Sequence, residues 1–274
     1  ANMNEVSVKH LFLDLAVSFE SKTLDGSVRL ELDRLKPTNQ LILDTRDLTI
    51  HKVVLDNGQQ VDFELGETDA VFGTPLIIPL DDSTTEATVF YTTSPDAAAL
   101  QWLSPEQTLG KEQPFLFSQS QAILARSWIP CQDGPGVKFT YDATIKTSPE
   151  LIALMSAENG TEKSADGIYN FTMKQPVSSY LMALAVGDLE FRSTGRNSGV
   201  YSEPSFVDVC VNEFATMQSM IDSAEQLYGE YIWERYDVLV LPPSFPFGGM
   251  ENPRLTFATP TIIAGDRSLT ALIA

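Results

Sequence analysis

Apolar and polar residues alternate along most of the first two thirds of the chain. Val28, Leu30 and Leu32 interleave with Arg29, Glu31 and Asp33, the period of a strand with one face buried and one in water. Residues 10–20 follow a looser version of this rhythm. Residues 48–54 and 61–65 flank Asn57-Gly58, two residues that tolerate positive φ, so a hairpin is predicted there. Further short strands are predicted over residues 74–80, 87–93, 139–147, 151–157 and 168–174. Asn159-Gly160 and Asp166-Gly167 mark turns between the last two. Short strands with frequent turns predict an antiparallel sheet or sandwich. There is no internal repeat.

The pattern changes between residues 187 and 204. Residues 192–199 are polar and carry two glycines, which reads as a domain junction. Beyond it, Phe214, Met217, Met220, Ile221, Ala224, Leu227 and Tyr228 recur at helical spacing. Asn212 is the predicted N-cap of one long helix, and the methionine and aromatic stripe reads as core packing. Residues 236–241 form an apolar strand stopped by Pro242-Pro243, and residues 255–264 another. Gly265-Asp266-Arg267-Ser268 is a loop, and residues 269–274 read as the first turns of an apolar helix. The division is placed at 1–190 and 191–274.

Composition narrows the function classes. With 274 residues and 43% hydrophobic residues, the chain can build a substantial core. Only Cys131 and Cys210 are present, which excludes a disulfide-stapled scaffold and predicts free, buried thiols. The net charge of −19 argues against nucleic acid and against anionic membranes as partners. No stretch approaches the roughly 18 apolar residues of a membrane span. The first residues have no signal-peptide character, so location is open between cytoplasm and a secreted or periplasmic setting. Two sequons, at Asn159 and Asn170, are short enough to occur by chance. His10 and His51 are the only histidines and lie in strand-rich segments, where structural roles are expected.

Two segments have candidate chemistry. Pro246-Phe247-Gly248-Gly249-Met250-Glu251-Asn252-Pro253 lies between two apolar strands. Paired glycines let another backbone approach, so a peptide can add along this edge, with the Glu251 carboxylate placed to meet a free amino end. On spacing alone a tight turn with a solvated glutamate is the simpler reading. The second segment is Phe117-Ser118-Gln119-Ser120-Gln121-Ala122, followed by Arg126 and by Pro130-Cys131-Gln132-Asp133-Gly134-Pro135. On a strand, Gln119 and Gln121 would share a face and offer two amides to a polar ligand. An exposed polar face is again the simpler local reading. Asp133-Gly134-Pro135 reads as a turn.

The Gly-Gly-Met-Glu-Asn loop resembles the exopeptidase signature of the zinc aminopeptidases of the gluzincin class. The glutamine segment resembles that family's substrate-binding segment. Together with Thr259-Pro260-Thr261-Ile262-Ile263-Ala264-Gly265-Asp266, the two are similar to the leukotriene A(4) hydrolase-like branch. Many relatives carry glutamate where this chain has Gln121. The resemblance implies an N-terminal β domain of saddle or sandwich form, followed by the first part of a thermolysin-like α/β catalytic domain. It implies that Gly248, Gly249 and Met250 line a peptide groove, that Glu251 binds the α-ammonium, that Gln121 helps hold that end and that Gln119 supports the wall. It implies peptide substrates with a free amino terminus and a zinc cofactor. The family's zinc motif is expected immediately after Ala274, which makes these residues an N-terminal portion, inactive alone and without a catalytic or metal-ligating residue of its own. Two other readings stay open: a non-catalytic β-rich peptide-binding module, and a lipid epoxide hydrolase.

Overall fold

In a computed structural model of residues 1–274, the alternation in sequence becomes an alternation of burial. Along the strand Thr23–Arg34, Leu24, Val28, Leu30 and Leu32 are buried, while Arg29, Glu31 and Asp33 face outward. The chain forms two compact units, each discontinuous in sequence. The first comprises Ala1–Trp102, Phe117–Thr147 and Ile168–Ala183, and the second Leu103–Leu116, Ser148–Gly167 and Leu184–Ala274.

The first unit is built on a seven-stranded sheet. Its order is Ile168–Ser178, Lys138–Lys146, Val6–Ser18, Thr23–Arg34, Glu86–Thr92, Thr49–Leu55 and Gln60–Val61. The Asn57-Gly58 hairpin forms as predicted, pairing Val53 with Val61 across Gly58 at φ 79°. The sheet is not purely antiparallel. Val6–Ser18 runs parallel to Lys138–Lys146, from His10 beside Thr140 to Ala16 beside Lys146. A parallel neighbour requires a long connection, and the whole chain between these strands supplies it. Gln132 reaches the first strand from below. Its Nε2 donates to the Val6 carbonyl at 2.7 Å, and its Oε1 accepts from the Val8 N–H at 3.0 Å, where the strand's register shifts. A three-stranded sheet of Gln40–Thr45, Thr74–Pro79 and Glu64–Leu65 also belongs to this unit.

The second unit contains a five-stranded mixed sheet in the order Glu190–Ser193, Ser198–Ser202, Tyr236–Val240, Leu255–Ala258 and Gly249–Met250. The three inner strands are parallel, and both edges are antiparallel. The polar stretch 192–199 is the hairpin joining the first two strands. Helices bridge the parallel pair Ser198–Ser202 and Tyr236–Val240, as a parallel crossover requires.

The single helix expected from Asn212 is two helices, Val207–Glu213 and Met217–Tyr228. Asn212 lies within the first instead of capping the second. Its carbonyl accepts from Arg267 Nε at 2.9 Å and its side-chain oxygen from Arg267 Nη2 at 3.0 Å. That carbonyl lies in the last turn of the first helix, where the ladder leaves acceptors without a donor, and the chain turns at Phe214 before restarting. The apolar stripe is core only in its first half. Phe214, Met217 and Ile221 are buried with Val200, Cys210, Val238 and Val240 nearby, whereas Leu227 and Tyr228 are 74% and 86% exposed. No helix is long and apolar enough to cross a membrane.

Candidate functional site

The glutamate loop is built by the last turn of the mixed sheet. After Pro242-Pro243 the chain returns as the two-residue edge strand Gly249–Met250, which pairs with Phe257 and Ala258. The Thr259 N–H donates to the Gly248 carbonyl at 3.1 Å and closes this ladder. The two glycines have different reasons to be there. A Cβ on Gly249 would lie 3.0 Å from the Phe257 carbonyl oxygen, whereas one on Gly248 would meet nothing within 4 Å. The Met250 side chain is buried and fixes the strand, and Glu251, next along, is exposed. The Glu251 carboxylate has no hydrogen bond and no ion pair within the protein. A cavity of about 410 Å³ lies against Gly248, Gly249, Met250 and Glu251, with Tyr236, Phe257 and Ile262 also lining it. Burial pushes the Tyr236 hydroxyl above the usual phenol range, and the Glu251 charge adds to that shift.

The loop closes through Asn252-Pro253-Arg254-Leu255. The Leu255 N–H donates to the Asn252 carbonyl at 3.2 Å, and Arg254 has φ 68°. Proline second and positive φ third is the arrangement of a type II turn, where glycine is usual. A left-handed arginine costs about 1–2 kcal/mol. Its side chain is only 5% exposed, and Nη1 donates to Glu234 Oε2 at 2.7 Å. Beside it, Arg235 grips the buried Asp237 carboxylate through Nε at 3.0 Å and Nη2 at 2.7 Å. Burial raises the Asp237 pKa, against the opposing pull of Arg235 and Arg254.

The glutamine segment belongs to the first unit. The strand Phe115–Ser118 ends before Gln119, and Gln121 lies in a turn, so the two glutamines do not share a strand face. The reason is local: Gln119 Oε1 folds back to accept the Gln121 N–H at 3.2 Å, and the Leu124 N–H donates to the Ser120 carbonyl at 2.9 Å. Ser120 anchors the turn, accepting from Trp128 Nε1 at 3.0 Å and donating to the Met182 carbonyl at 3.3 Å. Gln121 is left exposed. Asp133, read as part of a turn, is the buried centre of a network. Its Oδ2 accepts from Arg126 Nε at 2.9 Å, and its Oδ1 from Ser179 Oγ at 2.6 Å.

Sequence reasoning missed two further carboxylates of the second unit. Buried Glu203 accepts the Leu109 and Gly110 N–H groups at 2.9 and 3.0 Å. Buried Glu213 accepts those of Gly265 and Arg267 at 3.0 and 2.9 Å, which pins the Gly-Asp-Arg-Ser segment. For Glu213, an acidic residue in an apolar helical stretch was the only available signal, and Glu203, outside any helix, left none.

The residues present do not fit a zinc ion. His10 Nδ1 is 2.6 Å from Thr140 Oγ1, with its Nε2 3.2 Å from Asp142, and His51 Nε2 is 2.7 Å from Thr92 Oγ1. No group of three His, Cys, Asp or Glu side chains is placed to hold a metal. Both thiols are buried and unpaired, with the Cys210 pKa pushed up to about 12 by burial.

Comparison with known proteins gives consistent matches along the chain. Residues 7–181 match the Peptidase M1 N-terminal domain, and residues 212–272 the Peptidase family M1 domain. Leukotriene A-4 hydrolase of Xenopus laevis is 47% identical over all of this chain and 47% of its own length. Leucine aminopeptidase 2 of Yarrowia lipolytica is 44% identical over 95% of the chain and 40% of its own. The solved structure of native yeast LTA4 hydrolase superposes with a TM-score of 0.93 at 38% identity, covering 99% of this chain and 43% of that one. The chain thus spans somewhat less than half the length of these relatives.

Proposed function

The chain belongs to the peptidase M1 family, and on that premise we propose that the protein is a zinc-dependent aminopeptidase in which Glu251 receives the free α-ammonium of a peptide. One observation carries the reading: an exposed carboxylate without a partner stands directly after a glycine edge strand beside a cavity. A peptide laid along Gly248, Gly249 and Met250 finds backbone groups to pair with, and its amino end finds a charge that nothing else neutralises. This capture at one end makes the enzyme an exopeptidase. Gln119 and Gln121 are proposed as further substrate-binding residues, with the exposed Gln121 amide the one free to meet a polar group. The zinc is proposed for the complete enzyme. Its ligands are proposed to lie outside these residues, and no step assigned to them runs through the metal.

The test is Glu251→Gln in the complete protein. Loss of a charge-assisted contact to the ammonium should lower kcat/KM for an aminoacyl amide by about 10–100-fold. Unchanged kinetics would remove Glu251 from the site. The 47% identity to a leukotriene A-4 hydrolase favours one second reading, opening of a lipid epoxide. Turnover of a lipid epoxide without turnover of aminoacyl amides would establish that reading instead. Turnover of neither would favour a peptide-binding module.

A further inference from the structure

We infer that Arg254 is a positioning residue for Glu251: its buried guanidinium, anchored on Glu234, holds the turn that follows the carboxylate and so fixes where that carboxylate stands. The inference rests on the reading of Glu251 as the ammonium acceptor. Arg254 occupies φ 68°, a place where glycine would be unstrained. Its compensation is at its far end, where Nη1 meets Glu234 at 2.7 Å with the side chain 5% exposed and the guanidinium charge also attracts the buried Asp237 carboxylate, while Nε is left without a partner. Its carbonyl accepts the Asp237 N–H at 3.3 Å. Both ends of the residue are therefore tied to the segment that opens the strand Tyr236–Val240.

Glu251 lies between two fixed points. On one side, Met250 is paired with Phe257, and on the other the Asn252 N–H donates to the Met250 carbonyl at 3.0 Å as the turn begins. No hydrogen bond or ion pair holds the Glu251 side chain itself. Its direction is set by the backbone, and Arg254 commits that backbone to one path. Glycine at 254 would keep the turn allowed and lose the anchor.

The experiment is a double-mutant cycle in the complete protein, with Arg254→Gly, Glu251→Gln and both together. The readouts are kcat and KM for an aminoacyl amide with a free α-amino group, together with thermal melting. Arg254→Gly should raise KM by about 5–10-fold with a smaller change in kcat, and in the Glu251→Gln background it should add less than about 2-fold. Arg254→Lys, which keeps the charge and most of the reach, should recover part of the loss. Kinetics of Arg254→Gly equal to the parent's, or an effect undiminished in the Glu251→Gln background, would overturn the inference while leaving the ammonium reading intact. A Glu251→Gln enzyme with parental kinetics would overturn both. Should Arg254→Gly fail to fold, Glu234→Gln takes its place in the same cycle, with a smaller KM effect and the same non-additivity expected, because Glu234 is half exposed.

Discussion

Two glutamates of the second unit sit in opposite surroundings. Glu213 is fully buried, and each of its oxygens accepts a backbone N–H, from Gly265 and from Arg267. Glu251 is exposed and pairs with nothing. Burial of a carboxylate is tolerable only when its hydrogen bonds are replaced, so Glu213 is committed to holding one loop in one place. An exposed carboxylate keeps its water and stays available to an incoming cation. The contrast separates a carboxylate that maintains the fold from one left open to solvent, although both belong to the same unit.

The sharpest way to break this contrast is Glu213→Ala. The Gly265 and Arg267 N–H groups, on an exposed loop, would lose a charged acceptor and a fully buried side chain would be removed, costing about 2–4 kcal/mol and lowering Tm by roughly 4–12 °C. A melt unchanged from the parent's would show that the clamp is idle. Glu251→Gln should do the reverse, leaving Tm within about 1 °C while aminopeptidase turnover falls, since surface substitutions away from packing are nearly neutral to stability. A large loss of Tm there would place Glu251 with Glu213.

The glycines refine the same division at smaller scale. Gly249→Ala must displace the Phe257 carbonyl, which its Cβ would approach to 3.0 Å, and should cost about 1 kcal/mol or more, visible in a denaturant melt. Gly248→Ala meets no atom within 4 Å and should leave the melt unchanged. If a peptide lies along this edge, Gly248→Ala should nevertheless raise KM.

The smallest effect belongs to Cys210. Its pKa rises from 9.0 to about 12 on folding, so the native state holds the neutral thiol. That contribution to stability is intact below pH 9.0 and fades as pH climbs toward about 12. At pH 8, neither buried thiol should react with an aromatic disulfide until the protein unfolds, as absorbance of the released thiolate would report.

What could be read in the sequence was local. Alternation over Val28 to Asp33 and the Asn57-Gly58 turn located strands and a hairpin, because each depends on neighbouring residues. The Gly248 to Asn252 motif located the loop for the same reason. Contacts between distant residues left no periodic trace. The parallel pairing of His10 with Thr140 and the Gln132 amide bound to Val6 and Val8 depend on segments far apart in the chain. Asn212 looked like a helix cap because it is a good one. The chain is already helical from Val207, so Asn212 falls in the last turn of one helix and its polar groups meet Arg267 instead. The glutamine pair was misplaced because a two-residue repeat predicts one shared face only while the strand lasts, and here the strand ends at Ser118.

The strand Gly249–Met250 is only two residues long and has Pro246 before it and Pro253 after it. Neither proline has an N–H to donate, so the ladder cannot lengthen in either direction through those positions. Under the proposed reading, a guest chain seated there would have one register to adopt and no rail along which to creep. A peptide seated as proposed would meet a stop there, a place to be held and from which to leave.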